Sequence, residues 1–227
     1  MSRKPRLVLP GVPMHIIQRG NNQNACFFER ADYRVYLALL ASASEEFNCP
    51  VHAYVLMTNH VHILATPTTV DAMPSMMKRV GQNYSQYVNR RHKRFGTLWQ
   101  GRYRSCMVAD ERYFLTCHRY IELNPTRAGM SLHPEEYEWS SYRANALGEA
   151  SPLVKPHSIY IDLALHKVER EECYRRLFDE AMSDEMTSDI RRATNGNLAI
   201  GSRPRLESLS VELGRDVTRQ TPGRKQQ

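Results

Sequence analysis

Two kinds of apolar spacing alternate along this chain. Residues 14–18 read as a strand that ends at Arg19-Gly20-Asn21-Asn22, where the Gly-Asn-Asn run signals a turn. Over 31–47, Val35, Ala38, Leu39 and Ala43 fall at the spacing of one helix face, and Asn48-Cys49-Pro50 stops the run. Residues 51–57 and 60–65 then predict two strands. Only Thr58-Asn59 separates them, so a tight hairpin follows. After a break at 67–70, residues 72–91 predict a helix with a stripe of Met73, Met76, Met77, Val80, Tyr84, Tyr87 and Val88. A methionine and aromatic stripe of this kind is core-facing.

Residues 103–108 predict one more strand. Asp110 makes an N-cap with Glu111 in the first turn, and the helix is predicted to run to Asn124, where Pro125 ends it. The expected fold is α+β: an antiparallel β-sheet flanked by helices. Gly148, Ser151, Pro152 and Pro156 mark a change of composition. We therefore expect one domain over 1–147 and a basic, partly helical extension over 148–227. In the extension, 169–182 reads as helix and the final stretch as disordered.

Composition narrows this picture. The hydrophobic fraction, 41% of 227 residues, suffices for a core. Lys and Arg number 31 against 24 Asp and Glu, a net charge of +7 and a pI near 9.3. That excess leans towards a polyanionic partner. The segment 191–227 alone holds eight basic residues and three acidic ones. The five cysteines form no Cys-x-x-Cys pair, which excludes a disulfide framework and a cysteine-rich zinc site and fits reduced thiols in a cytoplasm. No apolar segment follows the basic start and no run of 18 apolar residues occurs, so neither export nor a membrane span is expected.

The candidate chemistry sits in the second hairpin strand and the last helix of the domain. His60 and His62 stand two residues apart in an otherwise apolar strand, and positions i and i+2 share a face. Two buried imidazoles without a partner are costly. Both rings gripping one divalent cation resolves that cost. On the helix, Tyr120 and Asn124 lie one turn apart. A phenol, with a pKa of about 10 in water, needs a metal to polarise the phosphate it attacks. Asn124 reads either as a ligand of that metal or as the cap of the helix. Tyr113, two turns before Tyr120, is the competing phenol. Imidazole plus amide oxygen suits manganese, or magnesium completed by water and phosphate. A zinc hydrolase would need a third ligand and a general base, which the sequence does not advertise.

Residues 90–104 carry six Lys or Arg and no acid, interleaved with Phe95, Trp99 and Tyr103. Cations that track phosphates beside rings on which bases stack are the parts of a single-strand groove. Lys93, Arg94, Trp99, Arg102 and Tyr103 are therefore expected DNA contacts, and Arg19 with Asn21 adds a second corner.

Four stretches carry a joint pattern: Met14-His15-Ile16-Ile17-Gln18-Arg19-Gly20-Asn21, Met57-Thr58-Asn59-His60-Val61-His62-Ile63-Leu64, Trp99-Gln100-Gly101-Arg102-Tyr103, and Tyr120-Ile121-Glu122-Leu123-Asn124-Pro125-Thr126-Arg127-Ala128-Gly129. The pattern resembles the single-tyrosine HUH transposases of the IS200/IS605 type, and more closely the REP-associated tyrosine transposases. That resemblance implies an HUH fold, His60 and His62 as metal pair with Mg²⁺ or Mn²⁺, and Tyr120 as nucleophile. It implies cleavage of single-stranded DNA beside hairpins of REP-like palindromes, through a 5′-phosphotyrosine. The insertion-sequence branch has glutamine where this chain has Asn124, one methylene shorter. The long basic extension is similar to the REP-associated branch, which implies a cytoplasmic, nucleoid-associated monomer, with a dimer as the alternative. A catalytically silent hairpin-binding protein is the other reading these residues allow.

Overall fold

The computed structural model describes residues 6–218. Its centre is a sheet of five strands in the order β2-β3-β1-β4-β5, formed by β1 (Met14–Arg19), β2 (Val51–Met57), β3 (His60–Ala65), β4 (Arg104–Val108) and β5 (Ala199–Ile200). The first four strands pair antiparallel, as the alternation and the two-residue hairpin dictate. β5 joins β4 in parallel, so the sheet is mixed. A two-residue strand carries too little pattern to be read from sequence.

Strand alternation sorts the side chains into two layers. Met14, Ile16, Leu56, Val61 and Ile63 point to one face, under α1 (Arg30–Glu46) and α2 (Ala72–Arg91). There the methionine stripe of α2 is buried together with Tyr84, whose ring meets Tyr36 of α1 edge to face, which confirms it as packing. Each such fully buried side chain contributes roughly 1.5–3 kcal/mol relative to exposure. α1 is closed at its start by a reciprocal cap between Glu29 and Asp32 and at its end by Asn48, whose φ of 47° reverses the chain.

The other face carries Ala53, Val55, Leu64, Cys106 and Val108 under α3 (Glu111–Glu122) and α8 (Asp184–Gly196). Asp110 caps α3 as predicted, accepting from the Tyr113 N–H at 3.2 Å. The helix stops earlier than predicted. Leu123 closes α3, and Asn124–Arg127 forms a separate turn, α4, with Pro125 in its first turn. A proline there fits because its missing N–H is one a first turn leaves unbonded anyway.

The chain after α4 packs against these layers. α5 (Tyr142–Leu147), α6 (Ser158–Ile161) and α7 (Lys167–Arg176) pack around Tyr142, Tyr160 and Tyr174, while α8 and β5 cover the β4 edge and α9 (Arg203–Glu212) follows. The expected helix at 169–182 begins two residues earlier and ends at Arg176. The predicted disorder of the last stretch lies outside the described residues. Among the described residues, no helix is long and apolar enough to cross a membrane. All five cysteines are free, and four are buried.

Candidate functional site

The β1–β3 register brings the chemistry together. Ile17 pairs with His62 and Arg19 with His60, so His15, Ile17, Arg19, His60 and His62 share the face that α3 and α8 cover. The helices do not close this face completely. A cleft of about 250 Å³ remains, lined by His15, Arg19, His60, His62, Tyr120, Asn124, Arg191 and Thr194 among others. Tyr113 is not part of the lining.

Tyr120 is 4% exposed, with its ring edge-on to both His62 and His15 at 5.6 Å between centroids. The Arg127 guanidinium lies 5.0 Å from the centre of the phenol ring, so a phosphate reaching Tyr120 meets a cation. The His60 and His62 rings stand edge to face with centroids 5.1 Å apart. Burial, reinforced by Arg19, pushes His60 down to about 4. Burial and the nearby His15, His60, Arg19 and Arg127 hold His62 well below the ordinary imidazole value. Both rings are therefore neutral at pH 7, the form that ligates a cation.

On each ring the Nδ1 atom has a protein partner. His60 Nδ1 donates to Asn59 Oδ1 at 2.6 Å, and His62 Nδ1 meets His15 Nε2 at 2.8 Å. Each ring thus turns its Nε2 away from a protein partner. Asn124 Nδ2 donates to the Tyr120 carbonyl at 2.7 Å and reaches the Ile121 carbonyl at 3.4 Å, which turns Oδ1 away from α3. Asn124 thus caps the helix with its nitrogen and also lines the cleft. Two imidazole nitrogens and an amide oxygen fit a divalent cation.

One other group has a ligand-like spacing. Among the described residues, Glu29, Asp32 and His92 place potential ligand atoms within 4.8 Å of one another. Asp32 Oδ2 already accepts the Phe28 and Glu29 N–H groups, and both carboxylate oxygens lie 3.0 Å from His92 Nε2. The cluster joins the start of α1 to the end of α2, remote from Tyr120.

The expected DNA contacts divide. Arg19 and Arg102 line a smaller recess of about 50 Å³ with Arg104, Gln100 and Asn195, and this recess shares Ile17, Arg19 and Asn195 with the cleft. Trp99 and Tyr103 need correcting as stacking rings, because each is only 7% exposed. Trp99 packs on Tyr84 and Tyr36 and directs its indole N–H to the Gly81 carbonyl, while the Arg6 guanidinium covers the Tyr103 ring at 3.7 Å. The open ring of that strip is Phe95, 96% exposed. Lys93 and Arg94 line neither cavity, and Arg94 sits over Phe28. Asn21 serves the backbone, its N–H bonded to the Leu98 carbonyl beside Gly20, where an added Cβ would meet the Asn24 carbonyl at 2.2 Å.

Sequence reasoning assigned no site role to His15, Arg191, Thr194 and Asn195, whereas Arg104 closes the 90–104 basic strip it had singled out. For His15 a signal existed, a polar residue in step with Arg19 on an apolar strand. For the three α8 residues none did.

Comparison with known proteins follows the same outline. The chain is similar in structure to a REP-associated tyrosine transposase bound to a REP hairpin, with a TM-score of 0.57 and 14% identity over 69% of this chain and 93% of that one, a likeness of fold. A putative transposase from Deinococcus radiodurans R1 superposes with a TM-score of 0.37 and 19% identity over 53% of this chain and 96% of that one, too loosely to carry an argument. No curated protein matches the chain in sequence. A family model described as "Transposase IS200 like" matches residues 10–124. That stretch is just over half of the 227 residues and runs from just before β1 to the asparagine past Tyr120, and by it the chain belongs to the IS200-like transposase family.

Proposed function

We propose that the protein is a metal-dependent single-strand DNA endonuclease and strand transferase that acts beside DNA hairpins through a tyrosine–DNA intermediate. The observation that carries this reading is the cleft that gathers Tyr120, His60, His62 and Asn124, with the Tyr120 ring edge-on to His62. His60, His62 and Asn124 would hold a Mg²⁺ or Mn²⁺ ion. The bound ion would polarise the scissile phosphate and screen the charge that develops on it. Tyr120 Oη attacks phosphorus and gives up its proton. The bond from phosphorus to the 3′ oxygen breaks, and that oxygen leaves as a 3′-hydroxyl. One diester replaces another, so rejoining needs no nucleotide cofactor. Arg127 neutralises charge at Tyr120, and Arg19 and Arg102 hold the strand by its phosphates. The hairpin in the similar structure supports a hairpin substrate here, and the charge of +7 fits a DNA partner.

The test is a labelled hairpin oligonucleotide with a single-stranded flank, incubated with the protein and Mn²⁺. A nick with a covalent protein–DNA adduct is expected. Salt-sensitive hairpin binding that survives His60→Ala, with no adduct under any divalent metal, would instead make this a binding module. Arg102→Ala is expected to weaken hairpin binding and to lower the slope of log affinity against log salt by about 1. An affinity unchanged across a salt series contradicts that contact.

A further inference from the structure

The hydrogen bonds behind His62 run in one direction. They begin in α8, outside the stretch that matches the family. The Thr194 hydroxyl lies 2.8 Å from the Ile190 carbonyl. A carbonyl only accepts, so the hydroxyl proton is committed there. Thr194 Oγ1 keeps two lone pairs, and two groups approach them: Cys106 Sγ at 3.2 Å and His15 Nδ1 at 2.9 Å. Both must donate. Burial pushes the Cys106 thiol up to about 12, so it keeps the proton it offers.

His15 thus carries its proton on Nδ1. A neutral imidazole has a single N–H, so His15 Nε2 is an acceptor. Its partner, 2.8 Å away, is His62 Nδ1, which must be the donor. The two rings are inclined by only 6° with centroids 5.1 Å apart, a separation filled by this hydrogen bond plus one ring radius at each end. They lie edge to edge in one plane, the alignment of a straight N–H···N bond. Both rings are buried, which disfavours a charged imidazolium on either.

We propose that Thr194 and His15 are positioning residues that lock His62 in its Nδ1–H tautomer, leaving the Nε2 lone pair bare for a cation in the cleft. The use of that lone pair rests on the function proposed above. Without the relay, no other hydrogen bond among the described residues selects between its nitrogens. The other tautomer sets an N–H where the cation would bind, and that proton must leave first.

The test uses the full-length, metal-free protein with ¹⁵N-labelled histidine. Long-range ¹H–¹⁵N spectra are expected to show His62 with an unprotonated Nε2. Thr194→Ser keeps the hydroxyl and should preserve that signature. Thr194→Val and His15→Phe remove the relay at two points and should move His62 toward the Nε2–H form. Titration with Mn²⁺ alone should weaken at least ~10-fold in both variants and stay near wild type in Thr194→Ser. A residue with only a packing role would shift stability and leave the tautomer alone. If folded Thr194→Val and His15→Phe retain the wild-type His62 signature, the relay is overturned. If wild type shows the tautomer but binds no Mn²⁺, the relay stands and the nuclease reading fails.

Discussion

Tyr120→Phe is expected to abolish the covalent protein–DNA adduct and to lower hairpin nicking on the order of 10⁴-fold or more, the scale seen when a nucleophile is removed. The substitution deletes one oxygen and keeps the ring. The edge-on contacts to His15 and His62, at 5.6 Å between centroids, survive, as does the buried position on α3. Thermal stability and hairpin affinity should therefore stay near wild type, which separates loss of chemistry from loss of fold. Tyr113→Phe is the matched control. Tyr113 sits at the start of α3, where its N–H completes the Asp110 cap, and it does not line the cleft. It should nick normally. Adduct formation that persists in Tyr120→Phe and vanishes in Tyr113→Phe would transfer the nucleophile's role to Tyr113.

The second large effect concerns Glu122, two residues beyond Tyr120. Its carboxyl is fully buried and accepts from Ser141 Oγ at 2.5 Å, Tyr174 Oη at 2.7 Å and Asn145 Nδ2 at 2.9 Å. These partners come from the loop before α5, from α7 and from α5, so this carboxyl fastens the nucleophile's helix to the rest of the chain. Burial pushes Glu122 up to about 7 from an ordinary 4.5, against the pull of the three hydrogen bonds. Between those pH values the folded chain holds a proton that the unfolded chain has released. Glu122 thus contributes stability below about pH 4.5 that is lost as pH rises through about 7, in total roughly 3 kcal/mol. The buried histidines act oppositely. His15 and His60, pushed down to about 3 and about 4, contribute stability that is lost as pH falls. The Glu122 effect is therefore read as a difference. Relative to wild type, Glu122→Gln should gain roughly 3 kcal/mol between pH 4.5 and pH 8 in urea unfolding with chelator present. A difference that stays flat with pH rules out a carboxyl protonated in the fold.

Much of the fold was legible because its elements are long and strongly patterned. The helix at 72–91 and the hairpin strands 51–57 and 60–65 have the boundaries that periodicity predicts, and Asp110 caps the helix it was expected to cap. Within the site, His60 and His62 share a face because strand geometry leaves no choice, and Tyr120 follows from the phase of α3. The errors have one source. Trp99 and Tyr103 look like stacking rings beside six cations, but whether an aromatic ring faces solvent or the core depends on which neighbours fold over it. Here Tyr84 and Arg6 do so.

The sequence by itself determined the periodicities, the caps, the net positive charge, and the residue types that a cation-assisted attack on phosphate requires. These are properties of neighbours within one or two turns, where backbone geometry dictates which side chains meet. The tertiary structure alone decided that β5 adds a parallel strand, that Asn124 caps the helix with its nitrogen while lining the cleft, and that Thr194 stands behind His15. Thr194 and His15 are separated by 179 residues, and no local spacing encodes such a contact. It exists because packing α8 against the sheet buries a hydroxyl and an imidazole together, and each buried polar group must find its partner there.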